Sequence, residues 1–283
     1  MANKMSNFIS RLIMQKLLLP SERLGNTVAR KKIVFVIVEG PSDDEALGVM
    51  LEKVFSSSSV YVHITHGDIT SKPGTNPSKI KTIVCDIVKK YANSNYLKNT
   101  NFQQIIHITD TDGAYIPDEN VVEDSSVSKT KYSLTEIRTS NADGIRERNS
   151  TKSRCLNVLS ATQKIWNIPY QLYYMSCNLD HVLHNKQNSS DEEKEKDAVA
   201  FVRRYRQDTD GFVKFLAESD FSVTSDYVDS WNYIKQELNS LERHTNFGIC
   251  LKSVTKAVSD KDTSANGTKE ENKNLCIRSK RVF

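Results

Sequence analysis

Two short acidic motifs are the part of this sequence best suited to chemistry. One begins at Glu39, in the segment EGPSDD over 39–44, and the other is Asp110-Thr111-Asp112-Gly113. Two carboxylates that are two residues apart in an extended chain project to the same side. Carboxylate oxygens bind hard divalent cations, and a metal held in this way polarises a phosphate and stabilises the leaving oxygen. The motifs therefore indicate phosphoryl chemistry with Mg²⁺ or Mn²⁺.

An apolar run of the β type precedes each motif, at 33–38 and at 105–109. Continuous Val and Ile runs of this length are typical of strands that are buried on both faces of a parallel sheet. Ligands of such sheets bind beyond the carboxyl ends of the strands. We therefore expect Glu39, Asp110 and Asp112 at one edge of the sheet, where their mutual repulsion calls for a counter-charge such as Mg²⁺.

The order of elements predicts the fold class. Apolar patterns indicate strands over 33–38, 60–65, 102–109 and 169–175, and helical spacing indicates helices over 42–54, 80–88 and 156–166. Strands that alternate with helices of about a dozen residues are typical of an α/β fold. We predict a mostly parallel sheet flanked by helices, with an α-helical C-terminal region.

Composition along the chain suggests four parts. They are an N-terminal amphipathic helix and linker over 1–30, a catalytic domain over 31–188, a helical appendage over 189–258 and a disordered tail over 259–283. Within the catalytic domain, the polar segment 116–150 is interpreted as an inserted loop or lid.

Basic residues in and just after the polar segment are candidates for nucleic-acid binding, because a nuclease needs cations near phosphate. These residues are Lys129, Lys131, Arg146, Arg148, Lys152 and Arg154. A solvated loop with no binding role is the alternative interpretation.

Overall composition narrows the protein class without selecting an activity. The chain has 283 residues and a formal net charge of +4, which permits nucleic-acid binding but does not require it. Its five cysteines include no CxxC pair, so neither a zinc site nor a disulfide framework is indicated. The N-terminus lacks the pattern of a signal peptide and no segment is apolar enough to span a membrane, so we predict a cytoplasmic protein.

The two motifs together resemble those of the Toprim domain, which has a strand followed by Glu-Gly and, after an intervening unit, a strand followed by Asp-x-Asp-Gly. The form VEGPSDDEAL over 38–47 is most similar to the OLD-type and RloB-like nucleases and the PARIS effectors of bacterial antiphage defence. The resemblance covers roughly residues 32–186. It implies a metal-dependent endonuclease that cleaves RNA (transfer RNA among the possible targets) or DNA and acts as a toxic effector.

The resemblance also assigns roles to residues of this chain. It makes Glu39 a metal ligand or general base and Asp110 and Asp112 metal ligands of the catalytic site, and it places Asp43 one helical turn after Glu39 as a further ligand. A late Ser-Asn-x-x-x-Glu segment of the RloB-like proteins is matched loosely at 176–180, where Asp180 stands in the Glu place. The chain has no Walker A loop. A separate ABC-type ATPase or sensor is therefore the expected partner, with a homo-oligomer as a further possibility.

Two other functions are compatible with the same residues. Asp110-Thr111-Asp112-Gly113 also resembles the nucleophile motif of haloacid-dehalogenase-type phosphatases, although that motif follows the first strand of its fold. The chain could also be a non-catalytic, Toprim-like binding subunit whose carboxylates hold a structural cation.

Overall fold

A mixed α/β architecture is seen in the computed structural model, which describes residues 31–55, 60–67, 69–71 and 74–254. The strands are β1 (Lys32–Val38), β2 (Val60–His66), β3 (Phe102–Asp110), β4 (Val121–Glu123), β5 (Lys131–Tyr132), β6 (Ile137–Thr139), β7 (Lys164–Ile165) and β8 (Ile168–Met175). The helices are α1 (Pro41–Phe55), α2 (Ile80–Ser94), α3 (Ala142–Ser160), α4 (Leu179–His184), α5 (Asp191–Tyr205), α6 (Thr209–Glu218), α7 (Tyr227–Ile234) and α8 (247–254). Short 3₁₀ turns cover Asn99–Asn101 and Asp118–Asn120.

The main sheet has the strand order β2-β1-β3-β8-β7. Its first four strands are parallel, and only β7 runs antiparallel to its neighbour. The predicted α/β class with a mostly parallel sheet is thus confirmed. Because β1 and β3 are paired in the middle of the sheet, the residues that follow them emerge at the same edge.

Both faces of the sheet are covered, as the apolar run of β1 predicts. Alternate residues of this strand point into two different hydrophobic clusters. Val34 and Val36 pack with residues of α1, α4, α5, α6 and α8. Phe35 and Ile37 pack with residues of α2, α3 and α7 on the other face. The central strands are therefore buried on both sides, and only their ends offer polar groups to a ligand.

Segment 116–150 is structured, in contrast to the predicted loop or lid. It contains a second sheet of order β4-β6-β5 and the first half of α3. Ile116, Val121, Ile137 and Ala142 form a small buried cluster there, together with Leu241 and Cys177. These apolar residues are too widely spaced to give a helical or strand period, so their common burial did not show in the sequence pattern.

The C-terminal region is helical, as predicted, but it is part of the main core and not an appendage. Phe201 and Phe212 belong to the same cluster as the strand residues Val34 and Val36. The predicted N-terminal helix over 1–30 and the tail over 259–283 lie outside the described residues. No helix within the described residues is long and apolar enough to cross a membrane.

Candidate active site

The carboxylates at the ends of β1 and β3 lie next to each other. Glu39 follows β1 directly, Asp110 is the last residue of β3, and the two strands are paired in register up to Ile37 and His107. The Thr109 hydroxyl donates a hydrogen bond of 2.6 Å to the Glu39 carboxylate. Because Thr109 is buried, this bond fixes Glu39 toward β3 and not toward solvent.

The Asp110-to-Gly113 segment makes a tight turn, which differs from the extended geometry that the sequence suggests. Asp112 has φ 49° and Gly113 has φ 66°, so two successive residues are left-handed. Asp tolerates this conformation better than most residues, and Gly adopts it freely. The Asp112 amide donates to the Cys177 carbonyl at 2.7 Å. This turn, and not an extended strand, brings the Asp112 carboxylate beside the other acidic groups.

A distant segment holds the turn from the other side. The Thr111 hydroxyl donates to the Ser240 carbonyl at 2.8 Å, and the Thr111 amide donates to the Met175 carbonyl at 3.0 Å. The chain after Ser240 also passes the end of β8, where the Ser176 amide donates to the His244 carbonyl at 2.8 Å. The 240–245 stretch therefore frames the acidic edge of the sheet.

Lys152 of α3 supplies a positive charge inside the acidic cluster. Its side chain is 0 % exposed, its ammonium contacts the Asp112 carboxylate directly, and it lies 3.5 Å from the Glu39 carboxylate. Burial alone would lower the pKa of Lys152, but Asp112 and Glu39 outweigh this effect and raise it above its usual range. Lys152 therefore remains charged.

This position corrects the expectation that Lys152 belongs to a solvent-facing nucleic-acid surface. The lysine side chain is fully buried, and its ammonium contacts the Asp112 carboxylate within the protein. Lys152 therefore provides part of the counter-charge that was expected to come from a metal alone.

One lysine does not balance the carboxylates. The pKa of Asp110 lies well above its usual range, chiefly because the group is buried, and also because Glu39, Asp43 and Asp112 repel its charge. Burial by itself would raise the pKa of Asp112 too, but Lys152 and Arg148 outweigh burial and lower it. Asp112 is therefore ionised and paired with a cation, whereas the charged form of Asp110 is disfavoured by burial and by the carboxylates beside it.

Asp43 and Asp180 extend this cluster. Asp43 lies in the first turn of α1, where its carboxylate accepts a hydrogen bond of 2.9 Å from the Gly40 amide. Burial raises the pKa of Asp43 to about 6, and the nearby charge of Asp180 adds to the increase. Asp180, in the first turn of α4, lies 3.6 Å from the ammonium of Lys194. The five acidic residues named from the sequence are thus electrostatically connected.

The other basic candidates divide into two groups. Lys129, Lys131 and Arg154 are exposed. Arg146 instead binds the Val121 carbonyl at 2.8 Å and the Asp143 carboxylate at 2.9 Å, which anchors α3 to the small sheet.

Arg148 reaches the acidic cluster of the candidate site. It donates to the Asp112 carbonyl at 2.8 Å and to the Tyr132 hydroxyl at 2.7 Å. Arg148 therefore supports the turn of the acidic motif from the side of α3.

The donor set suits a hard divalent cation, because every candidate ligand is a carboxylate oxygen. The position of Asp110 also fits such an ion, because Glu39, Asp43 and Asp112 lie near enough to repel its charge, and added positive charge would relieve that repulsion. Across residues 31–254, gaps excepted, no group of three Asp, Glu, His or Cys side chains is arranged to ligate one ion.

Three residues that hold the acidic cluster in place were not identified in that role from the sequence. Thr109 precedes the acidic motif and looks like an ordinary strand residue, and Ser240 acts through its backbone carbonyl, which has no residue-type signal. Lys152 was named for a different role. The one available signal was the helical position of Lys152, which shares a face of α3 with the buried Cys155, Leu156 and Leu159.

No protein-family model, no curated protein and no solved structure matches this chain.

Proposed function

We propose that this protein is a Mg²⁺- or Mn²⁺-dependent nuclease with a Toprim-like catalytic core that hydrolyses phosphodiester bonds in nucleic acid. The observation that carries the proposal is geometric: Glu39 and Asp110 lie side by side at the paired ends of β1 and β3, and Asp43 and Asp112 are close enough to Asp110 to repel its charge. A site that holds several carboxylates together at a sheet edge stores repulsion that a divalent cation relieves.

Each residue has a role in this proposal. Glu39, Asp110 and Asp43 are the carboxylates that would hold the cation, with Asp180 in support from the next helix; their side chains would have to turn toward one point to do so, because they are not arranged around a single ion in this structure. A bound divalent cation polarises a phosphate oxygen and stabilises charge on the leaving oxygen. Asp112 binds Lys152, which lowers the pKa of Asp112, and the same ammonium lies 3.5 Å from the Glu39 carboxylate and helps to position it. Thr109 orients Glu39 so that one carboxylate oxygen is already engaged.

The biological setting follows from the resemblance of the two motifs to OLD-type, RloB-like and PARIS-effector proteins. We propose that the nuclease is a toxic effector of antiphage defence that a separate ATPase or sensor controls. Size measurement of the purified protein, alone and with the products of neighbouring genes, tests for that partner and for self-association. A constitutively active monomer that the cell tolerates would contradict this part of the proposal.

A cleavage assay tests the activity. The wild-type chain is incubated with single-stranded RNA, transfer RNA, single-stranded DNA and double-stranded DNA, in EDTA and in Mg²⁺ or Mn²⁺. We expect metal-dependent cleavage of at least one substrate, and loss of cleavage in Glu39→Gln and in Asp110→Asn. Asp118→Asn is the matched control, because Asp118 is an exposed carboxylate outside the cluster.

Metal binding is tested separately by thermal unfolding. A cation that binds only the folded protein stabilises it by about 2.7 kcal/mol at a hundredfold excess over Kd, which is a shift of a few degrees for a chain of this size. The shift should shrink in Asp110→Asn and persist in Asp118→Asn.

The same assays separate the two alternative functions. Hydrolysis of p-nitrophenyl phosphate without any nucleic-acid cleavage would favour the phosphatase. A metal-induced rise in melting temperature without either activity would favour the binding subunit.

A further inference from the structure

A cavity of about 460 Å³ lies between the loop that follows β2 and the first half of α3. Its walls include Thr70 and Thr75 from the loop, and Glu147, Arg148 and Thr151 from the helix. A volume of this size accommodates a small polar group together with part of the chain that carries it.

The walls of the cavity favour an anion that accepts hydrogen bonds. Hydroxyl groups and one guanidinium dominate them. The Thr75 hydroxyl already donates to the Ile69 carbonyl at 3.2 Å and Arg148 to other protein groups, so Thr70 and Thr151 are the threonine donors left for a ligand. Among the described residues that line the cavity there is no aromatic ring, so a nucleobase would have no side chain on which to stack. Donors without a stacking partner suit a phosphate group better than a base.

The Thr70 hydroxyl is an independent sign of a missing ligand. Thr70 is 1 % exposed, and its hydroxyl oxygen has no hydrogen-bond partner. A buried hydroxyl without a partner is unfavourable, and such groups are rare in folded proteins. A ligand in the cavity that accepts a hydrogen bond from Thr70 would remove this cost.

Arg148 connects the cavity to the carboxylates. It lines the cavity, and the same side chain donates to the Asp112 carbonyl at 2.8 Å. Thr151, another lining residue, directly precedes Lys152, whose ammonium binds Asp112. An occupant of the cavity would therefore lie next to the acidic cluster, as the neighbouring part of a bound polynucleotide must.

We propose that this cavity binds a backbone phosphate of the nucleic acid, adjacent to the one held at the carboxylates. The proposal rests on the proposed nuclease function, because it takes the occupant from the same substrate. Binding of a phosphate here would position the strand without reading its sequence.

A binding titration in EDTA tests the proposal without cleavage. The probes are fluorescein-labelled dodecanucleotides of single-stranded RNA and DNA, each in an A-rich and a C-rich version, followed by fluorescence anisotropy. Thr70→Val should weaken the binding of all four probes about tenfold, because it removes a hydrogen bond to a charged group. Glu147→Gln should tighten binding, because Glu147 at the cavity wall repels a phosphate.

Ser153→Ala is the matched control and should bind as the wild type does. Ser153 lies on the same helix, but its hydroxyl donates to the Ser150 carbonyl at 3.2 Å and it does not line the cavity. Thr70→Val should melt no lower than the wild type, since it removes an unpartnered hydroxyl. Thr151→Val is the second variant if Thr70→Val fails to fold.

Three results would overturn the proposal. They are unchanged binding in both threonine variants, a loss confined to one base composition, and weaker binding in Glu147→Gln. The titration is independent of the nuclease assay. A wild-type protein that never cleaves in Mg²⁺ but shows the expected binding changes would refute the nuclease and leave the phosphate site in place.

Discussion

The hydroxyl of Thr109 donates a hydrogen bond of 2.6 Å to the carboxylate of Glu39 and so links the ends of two neighbouring strands. Two consequences of this contact can be measured. The Glu39 side chain loses rotational freedom before any ligand arrives. The Thr109 hydroxyl also stabilises part of the negative charge on one Glu39 oxygen. The Glu39 side chain is therefore positioned by the sheet itself, without a ligand.

Thr109→Val removes this hydrogen bond with little change of shape. We expect it to destabilise the fold by about 1–3 kcal/mol, because the buried carboxylate oxygen loses a partner, and to lower the cleavage rate about tenfold or more. Urea unfolding and initial cleavage rates measure the two effects. Thr109→Ser keeps the hydroxyl and should behave nearly as the wild type; equal defects in both variants would show that the hydrogen bond is not the cause.

Asp110→Asn and Asp112→Asn should change metal-free stability in opposite directions. Asp110 suffers from burial and repulsion, so the neutral side chain should stabilise the protein. Asp112 binds the fully buried Lys152, so its neutralisation leaves an ammonium short of counter-charge and should destabilise by about 3 kcal/mol or more.

Chemical unfolding of both variants in EDTA measures this difference in sign. Asp118→Asn, an exposed change, should have an effect within about 0.5 kcal/mol. If Asp110→Asn and Asp112→Asn shift stability in the same direction, the charge pattern described for the cluster is wrong.

The pKa of Asp43 predicts a pH dependence of stability in the absence of metal. Its pKa in the folded protein is about 6, above the ordinary value of 3.8, chiefly because of burial. The folded state thus prefers the protonated form, and its stabilising contribution is complete below about pH 4 and is lost as the pH rises through about 6.

Comparison with Asp43→Asn isolates this contribution, because Asn is neutral throughout and keeps an oxygen for the Gly40 amide. Between about pH 4 and about pH 7, the wild type should lose up to about 3 kcal/mol relative to the variant. Unfolding curves at several pH values in EDTA provide the measurement. A constant difference between the two proteins over this range would show that Asp43 keeps its ordinary pKa.

Gly113 is required by its backbone conformation and by its surroundings. It has φ 66°, and a Cβ added there would lie 2.7 Å from a methyl carbon of Leu241. Gly113→Ala should therefore destabilise by about 2–4 kcal/mol through backbone strain and overpacking. It should also reduce cleavage, because the turn carries Asp112.

Gly67→Ala is the matched control for that change. An added Cβ at Gly67 would have no heavy atom within 4 Å, so its melting temperature should remain close to that of the wild type. Equal losses at Gly67 and Gly113 would mean that glycine flexibility, and not the crowded left-handed turn, determines the effect.

The sequence predicted those parts of the molecule that depend on local pattern. The continuous apolar residues of β1 correctly indicated a strand with both faces buried, and the paired strand ends place Glu39 and Asp110 at one edge. It could not predict the turn at Asp112, because a left-handed Asp has no strong sequence signal. It also missed the Lys152–Glu39 contact, since these residues are 113 positions apart and only tertiary packing brings them together.

The hydrogen bond between Thr111 and Ser240 has a consequence for synthesis on the ribosome. The acidic motif emerges early, but the residue that frames it follows 129 positions later. A nascent or prematurely terminated chain therefore carries all five carboxylates without the segment that sets their geometry. In the toxic nuclease proposed above, late completion of the site would keep unfinished copies inactive.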